Sequence, residues 1–122
     1  MQNKTLHQEI FNTVAKHLLT QNKRSEATDG LCMYRSDAGL RCAIGCLIPD
    51  EKYSAALEGM GMDRSEVKNA LPDKYQCADM SFLCSLQSIH DACSTWSWKE
   101  ELRGFANNYG LSSAAVLNFT KE

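Results

Sequence analysis

Apolar residues recur along the first twenty positions at the spacing of one helix face. Ile10, Val14 and Leu18 stand at i, i+4 and i+8, with Leu6, Phe11 and Leu19 beside them, so the spacing predicts an amphipathic helix. His7 and His17 fall on the flanks of that stripe or within it. The pattern fades through Gln21 to Arg24, and Asp29-Gly30 marks a turn at the end of the polar segment that follows.

From Leu31 to Ile48 the pattern changes. Cys32-Met33-Tyr34-Arg35 and Leu40-Arg41-Cys42-Ala43-Ile44 flank Ser36-Asp37-Ala38-Gly39. An Asp and a Gly in a four-residue connection predict a tight β-hairpin. In its second strand Cys42, Ile44, Cys46 and Ile48 would share one face, and Ala43, Gly45 and Leu47 the other. A short apolar run of this kind is also compatible with a buried helical turn.

Helical signals resume after Pro49. Asp50 is placed to cap a short helix from Glu51 to Glu58 that Gly59 stops, and residues 59–62 form a joint. Asp63-Arg64-Ser65-Glu66 reads as a capping box opening a helix through Val67 and Leu71, ended by Pro72. A fourth helix, 79–92, carries Phe82, Leu83, Leu86, Ile89, His90 and Cys93 on one stripe, with Met80 and Cys84 on the opposite side. Ser97-Trp98-Lys99-Glu100 reads as another capping box, opening a fifth helix whose stripe is Trp98, Leu102, Phe105 and Tyr109 and whose stop is Gly110. Residues 112–119 offer a last short helix. The expected fold is a single domain over 1–122, mainly α (α+β), with about five helices and one small β-hairpin near residues 31–48. The first, fourth and fifth helices should make its core.

Composition narrows the function classes. The chain has 122 residues, 43% hydrophobic and 23% charged, which is ordinary for a globular protein. Thirteen basic and fifteen acidic residues are interspersed and sum to −2, which argues against a strongly basic nucleic-acid face. No apolar run approaches a membrane span and the first residues do not resemble a signal peptide, so a cytoplasmic location is expected. The six cysteines, Cys32, Cys42, Cys46, Cys77, Cys84 and Cys93, are then expected as reduced thiols.

Four groupings have chemical potential. Cys42 and Cys46 are the only cysteine pair at knuckle spacing for zinc; on a strand their sulfurs would stand roughly 13 Å apart, and on a helix they could meet. No metal is expected; if one is present, its ligands are Cys32, Cys42 and Cys46. His90 and Cys93 can touch at i, i+3, but with no orienting acid they read as packing, and no catalytic residue is assigned. Ala106, Gly110, Leu111, Ser112 and Val116 have helix-turn-helix spacing over 106–117, yet the second helix has no lysine or arginine before Lys121, so DNA contacts are poorly provided. Tyr34, Arg35 and Arg41 beside the hairpin turn could hold a phosphate or carboxylate. Gly45 there allows close approach of a ligand or of another backbone. Met80 and Cys84 could mark a partner or homodimer surface.

The segment from Cys32-Met33-Tyr34-Arg35 through Gly39-Leu40-Arg41-Cys42-Ala43-Ile44-Gly45-Cys46-Leu47-Ile48-Pro49-Asp50-Glu51-Lys52-Tyr53 resembles a group of short bacteriophage and bacterial proteins, which also share a preceding helix and a late Trp-containing helix. The resemblance covers most of the chain and brings no activity with it. It implies a phage or prophage setting, hence a host cytoplasm. The function expected is a small non-enzymatic binding protein that modulates or sequesters a bacterial host protein or a nucleotide-like anionic signal. A helix-turn-helix DNA-binding regulator and a small Cys-ligated zinc protein are the rival classes.

Overall fold

The computed structural model describes residues 2–26, 32–61, 64–92 and 94–119. Five α-helices occur among them: α1 Gln2–Gln21, α2 Ser65–Asn69, α3 Met80–Ala92, α4 Trp98–Asn108 and α5 Ala114–Leu117. Helix α1 touches α3, α4 and α5, and α4 packs on α3 and α5, so the expected trio of long helices forms the frame. Its interior joins Ile10, Phe11, Val14 and Leu18 of α1 to Phe82, Leu83 and Leu86 of α3 and to Trp98, Leu102 and Phe105 of α4. Each such side chain contributes about 2 kcal/mol by leaving water. Phe11 stacks on Phe105 at 5.9 Å, and Phe82 meets Tyr109 edge-on at 5.1 Å.

Helix ends follow local chemistry. Helix α1 does not fade; it stops at Asn22, whose φ of 53° is left-handed and whose N–H returns to the Leu18 carbonyl at 2.8 Å. Asparagine is one of the few side chains that tolerate that conformation. Helix α4 ends at Gly110, with φ of 68°. The Leu111 N–H bonds the Ala106 carbonyl at 2.8 Å and the Gly110 N–H bonds that of Asn107 at 3.3 Å, a Schellman pairing. Asp79 opens α3, accepting from Ser81 N–H at 3.3 Å and Ser81 Oγ at 3.0 Å.

Three local expectations are corrected. The capping box at 97–100 is absent: Ser97 ends a 3-10 turn, has no side-chain cap bond, and donates its Oγ–H to the Ser94 carbonyl at 2.8 Å. Glu100 instead pairs with Arg103 along the helix. The helix expected over 51–58 is two separate 3-10 turns, Asp50–Lys52 and Ala55–Leu57, and Asp50 gives no cap. Asp63 of the other capping box lies outside the described residues, and Arg64, not Asp63, is the N-cap of α2.

The β-hairpin is also corrected: no strand occurs among the described residues. What remains are two isolated antiparallel bridges, Glu26 with Cys32 and Arg35 with Arg41. The turn itself closes as expected, with Ser36 N–H to the Leu40 carbonyl at 2.9 Å, Gly39 N–H to that of Ser36 at 2.9 Å, and Gly39 at φ 85°. Beyond it the backbone groups a ladder needs are taken by side chains. Glu58 accepts from both Tyr34 N–H and Arg35 N–H, at 2.9 and 3.1 Å. Gln87 of α3 accepts from Ile44 N–H at 3.0 Å. The run then coils, Cys46 N–H to the Cys42 carbonyl at 3.0 Å, into a 3-10 turn at Gly45–Leu47 packed on α1. Alternation fails because Cys42, Ala43, Ile44, Gly45, Leu47 and Ile48 are all buried, leaving no solvent face for a strand to show.

Candidate functional site

The residues expected at an anion site do come together, but in a different role. Arg35 Nη2 lies 2.8 Å from Asp50 Oδ1, and Arg41 Nη2 lies 3.4 Å from the same oxygen. Asp50 is 79% exposed, so one surface carboxylate from the chain already occupies the position between the two guanidinium groups. Arg35 is further committed: it donates to the Ile48 carbonyl at 2.8 Å and lies 4.6 Å above the Tyr53 ring. Tyr53 in turn donates to Glu58 at 2.6 Å. Tyr34 donates its hydroxyl to the Met60 carbonyl at 2.6 Å, and burial pushes its pKa up. Gly45 admits backbone, not a ligand: a Cβ there would stand 1.9 Å from the Tyr34 carbonyl oxygen. The cluster therefore ties the turn to the 3-10 segments, and an external anion would have to displace Asp50.

The cysteines are similarly placed for structure. Cys32, Cys42 and Cys46 do not converge on one ion position; among the described residues the converging set is Cys32, His90 and Asp91, with donor atoms within 4.8 Å of one another. Cys46 donates to the Ala43 carbonyl at 3.0 Å, and Cys42 Sγ accepts from Gly45 N–H at 3.2 Å. Burial pushes the Cys42 and Cys46 thiols up to about 12.

Cys93 lies outside the described residues, so its pairing with His90 does too. His90 itself has an orienting acid, contrary to the expectation from the sequence. Its Nδ1 lies 2.7 Å from Asp91 Oδ1, and its Nε2 accepts from Ser25 N–H at 2.9 Å. The ring proton therefore sits on Nδ1. The buried ring lies face on to Trp98 at 5.6 Å. Cys32 is raised to about 11 by desolvation and by the Asp91 carboxylate that accepts its thiol proton. A cysteine nucleophile needs the reverse, a lowered pKa and a base at the sulfur. The base here has its free lone pair turned to Ser25.

Two more expected sites can be located. Met80 and Cys84 are half-buried on α3, so neither stands out as an exposed knob. In the 106–117 segment α5 is a single turn without lysine or arginine. It is held to α1 by a two-way bond, Gln8 Nε2–H to the Ser112 carbonyl at 3.0 Å and Ser112 N–H to Gln8 Oε1 at 2.7 Å. Val116 of α5 is fully buried.

A surface that the expected sites did not include is the most exposed apolar feature of the described chain. Trp96, in the 3-10 turn Thr95–Ser97 ahead of α4, is 85% exposed. It edges an open groove of about 500 Å³ between that turn and the segment after α1, lined also by Lys23, Arg24, Glu26 and Leu40. The groove leads toward the 36–40 turn, since Leu40 is shared and the Arg41 carbonyl accepts from Gln21 Nε2 at 2.9 Å. Large exposed aromatics beside guanidinium groups are the residue types that dominate protein interfaces.

The histidines set a pH dependence for this frame. Burial holds His17 below the usual 6.5, against the opposing pull of the Arg41 carbonyl, which its Nε2 meets at 2.9 Å. Burial does the same for His7, against the charge of Asp79. The unfolded chain thus takes up protons at a pH where the folded rings do not, so stability is complete above about 6.5 and declines as pH falls. The urea midpoint is expected to be lower at about pH 5.5 than at about pH 7.5, and His17→Gln should flatten that difference. An unchanged midpoint would contradict the half-buried placement of these rings.

Comparison with models of known families, with curated proteins and with solved structures gives no match.

Proposed function

We propose that this chain is a non-enzymatic binding protein, that its partner is a protein of a bacterial host, and that the Trp96 groove is the docking face. The observation behind this reading is the 85% exposure of Trp96 next to Lys23, Arg24 and Leu40. Exposing an indole to water is unfavourable for an isolated chain, by about 2 kcal/mol relative to burying it. A partner that covers it recovers that free energy. Arg24 on the rim is paired with Glu26 at 3.6 Å, so Lys23 is the rim charge that favours an acidic group on the partner beside its apolar pocket. The bacterial setting and the cytoplasmic location rest on the resemblance of the 32–53 segment to phage and bacterial proteins. The states of His90 and Cys32 support binding over nucleophilic catalysis.

Trp96→Ala tests the reading because the side chain is 85% exposed. The variant is expected to melt within about 1 °C of the parent. It should lose a bacterial partner that the parent retains in affinity capture, at a cost of about 2 kcal/mol or more in binding. Equal capture by both proteins, or recovery of nothing but further copies of this chain, would overturn it.

A further inference from the structure

Asp91, on the last turn of α3, is a carboxylate without a cation. Its Oδ1 accepts from His90 Nδ1 at 2.7 Å and from Gln87 Nε2 at 2.9 Å, and Cys32 Sγ lies within 4.8 Å of the carboxylate. Because Nε2 of His90 is itself an acceptor, the ring brings a hydrogen bond rather than a charge. Among the described residues no lysine or arginine reaches ion-pair distance of Asp91, whose one such contact is His90. The two N–H donors on Oδ1 favour the carboxylate form. The carboxylate is 38% exposed and faces a cavity of about 280 Å³. Four of the nine residues around that cavity carry sulfur: Cys32, Met33, Cys42 and Met60.

An uncompensated carboxylate on a cavity wall favours a cation, and the wall decides which class. A hard divalent ion needs several oxygens, and here one carboxylate is offered. Zinc would take Cys32, Asp91 and His90, whose donor atoms lie within 4.8 Å of one another. Nδ1 of His90, however, carries the proton that the buried Ser25 N–H directs there, and it cannot ligate unless that bond breaks. Thiol and thioether sulfur prefer soft ions.

We propose that this cavity, which Met33 and Met60 also line, binds one soft monovalent metal ion, of the Cu(I) class, between Cys32 Sγ and the Asp91 carboxylate. The ion takes the place of the Cys32 thiol proton. The S–H bond breaks, an S–metal bond forms, and the proton leaves to solvent past Cys32, which is exposed. Charge is conserved, one cation in and one proton out, and no electron is transferred. Cys42 stays outside the first set of ligands, since its sulfur already accepts from Gly45 N–H at 3.2 Å.

The test loads the full chain with Ag(I), a redox-inert probe, and separately with Cu(I) under anaerobic conditions, each against excess glutathione. Native mass spectrometry counts the ions retained. The parent is expected to keep one. Cys32→Ser should weaken retention by about 100-fold and Asp91→Asn by about 10-fold, while Cys77→Ser, an exposed thiol away from the cavity, should leave it unchanged. Met60→Leu, which leaves the Asp91 hydrogen bonds intact, should weaken it several-fold and serves if Asp91→Asn does not fold. Loss of the ion to glutathione from the parent, or equal loss in the Cys32 and Cys77 variants, would show ordinary thiol binding and overturn the proposal.

Discussion

Gly45→Ala is expected to destabilise the protein by about 3 kcal/mol or more, which lowers the melting temperature by roughly 10 °C for a chain of this size. The added Cβ would lie 1.9 Å from the Tyr34 carbonyl oxygen and 2.7 Å from its carbon. The obstacle is backbone, and that backbone is held. Tyr34 N–H is bound by Glu58 at 2.9 Å, and the Tyr34 hydroxyl by the Met60 carbonyl at 2.6 Å. The Tyr34 carbonyl itself accepts from Cys42 N–H at 3.3 Å, and the Gly45 carbonyl accepts from Ile48 N–H at 3.2 Å. Relief of the clash must break some of these bonds. Gly104 is a control: it lies in α4 with nothing within 4 Å of a built Cβ, so Gly104→Ala should be neutral or stabilising by up to about 1 kcal/mol. Thermal denaturation of the two variants checks both. A Gly45→Ala protein that melts with the parent would mean that the 34–45 crossing is not as close as described.

His90→Phe should cost a similar amount, about 3 kcal/mol, for a different reason. The phenyl ring fills the space and keeps the contact with Trp98. It removes the acceptor of the buried Ser25 N–H and the donor to Asp91, whose bonds are 2.9 and 2.7 Å. Two polar groups are then left short of partners where water does not reach the first of them. Ser25 also holds the chain locally, receiving Met33 N–H on its carbonyl at 2.8 Å and donating its hydroxyl to the Leu40 carbonyl at 3.0 Å. The Cys32–Met33 segment should therefore loosen with it. Urea denaturation measures the cost, and nitrogen NMR of the parent should show the ring proton on Nδ1. A phenylalanine variant as stable as the parent, or a proton on Nε2, would contradict the network.

The helical frame was legible because α1, α3 and α4 each bury one face, and burial of one face writes a period of 3.6 into the sequence. The middle was not. Residues 42–48 are all buried except the half-buried Cys46, and a run without a polar face carries no period to read. The groups that decide its conformation are also distant in sequence: Glu58 takes the Tyr34 and Arg35 N–H groups, and Gln87 takes that of Ile44. Nothing local to the run announces those bonds, so the Asp and Gly of the turn suggested strands that have no partners to pair with. Asp91 was overlooked as the partner of His90 because adjacent helix positions point about 100° apart, yet the short bond forms. Trp96 left a signal that went unused. It stands two residues before Trp98, roughly 200° away on a helical projection, so it cannot share the stripe that buries Trp98. Two guanidinium groups near a turn did suggest a charged site. Asp50, only nine residues past Arg41 and a helix cap by local rules, is the carboxylate that fills it.

The claim that the Trp96 groove docks a bacterial protein is tested most directly by site-specific photo-crosslinking in bacterial cells. A photoreactive phenylalanine analogue replaces Trp96 in one protein and Leu117, the other large exposed apolar residue at 58%, in a second. The account predicts a discrete covalent adduct of one host protein from position 96 and none from position 117. No adduct at position 96, or the same adduct from both positions, would contradict it.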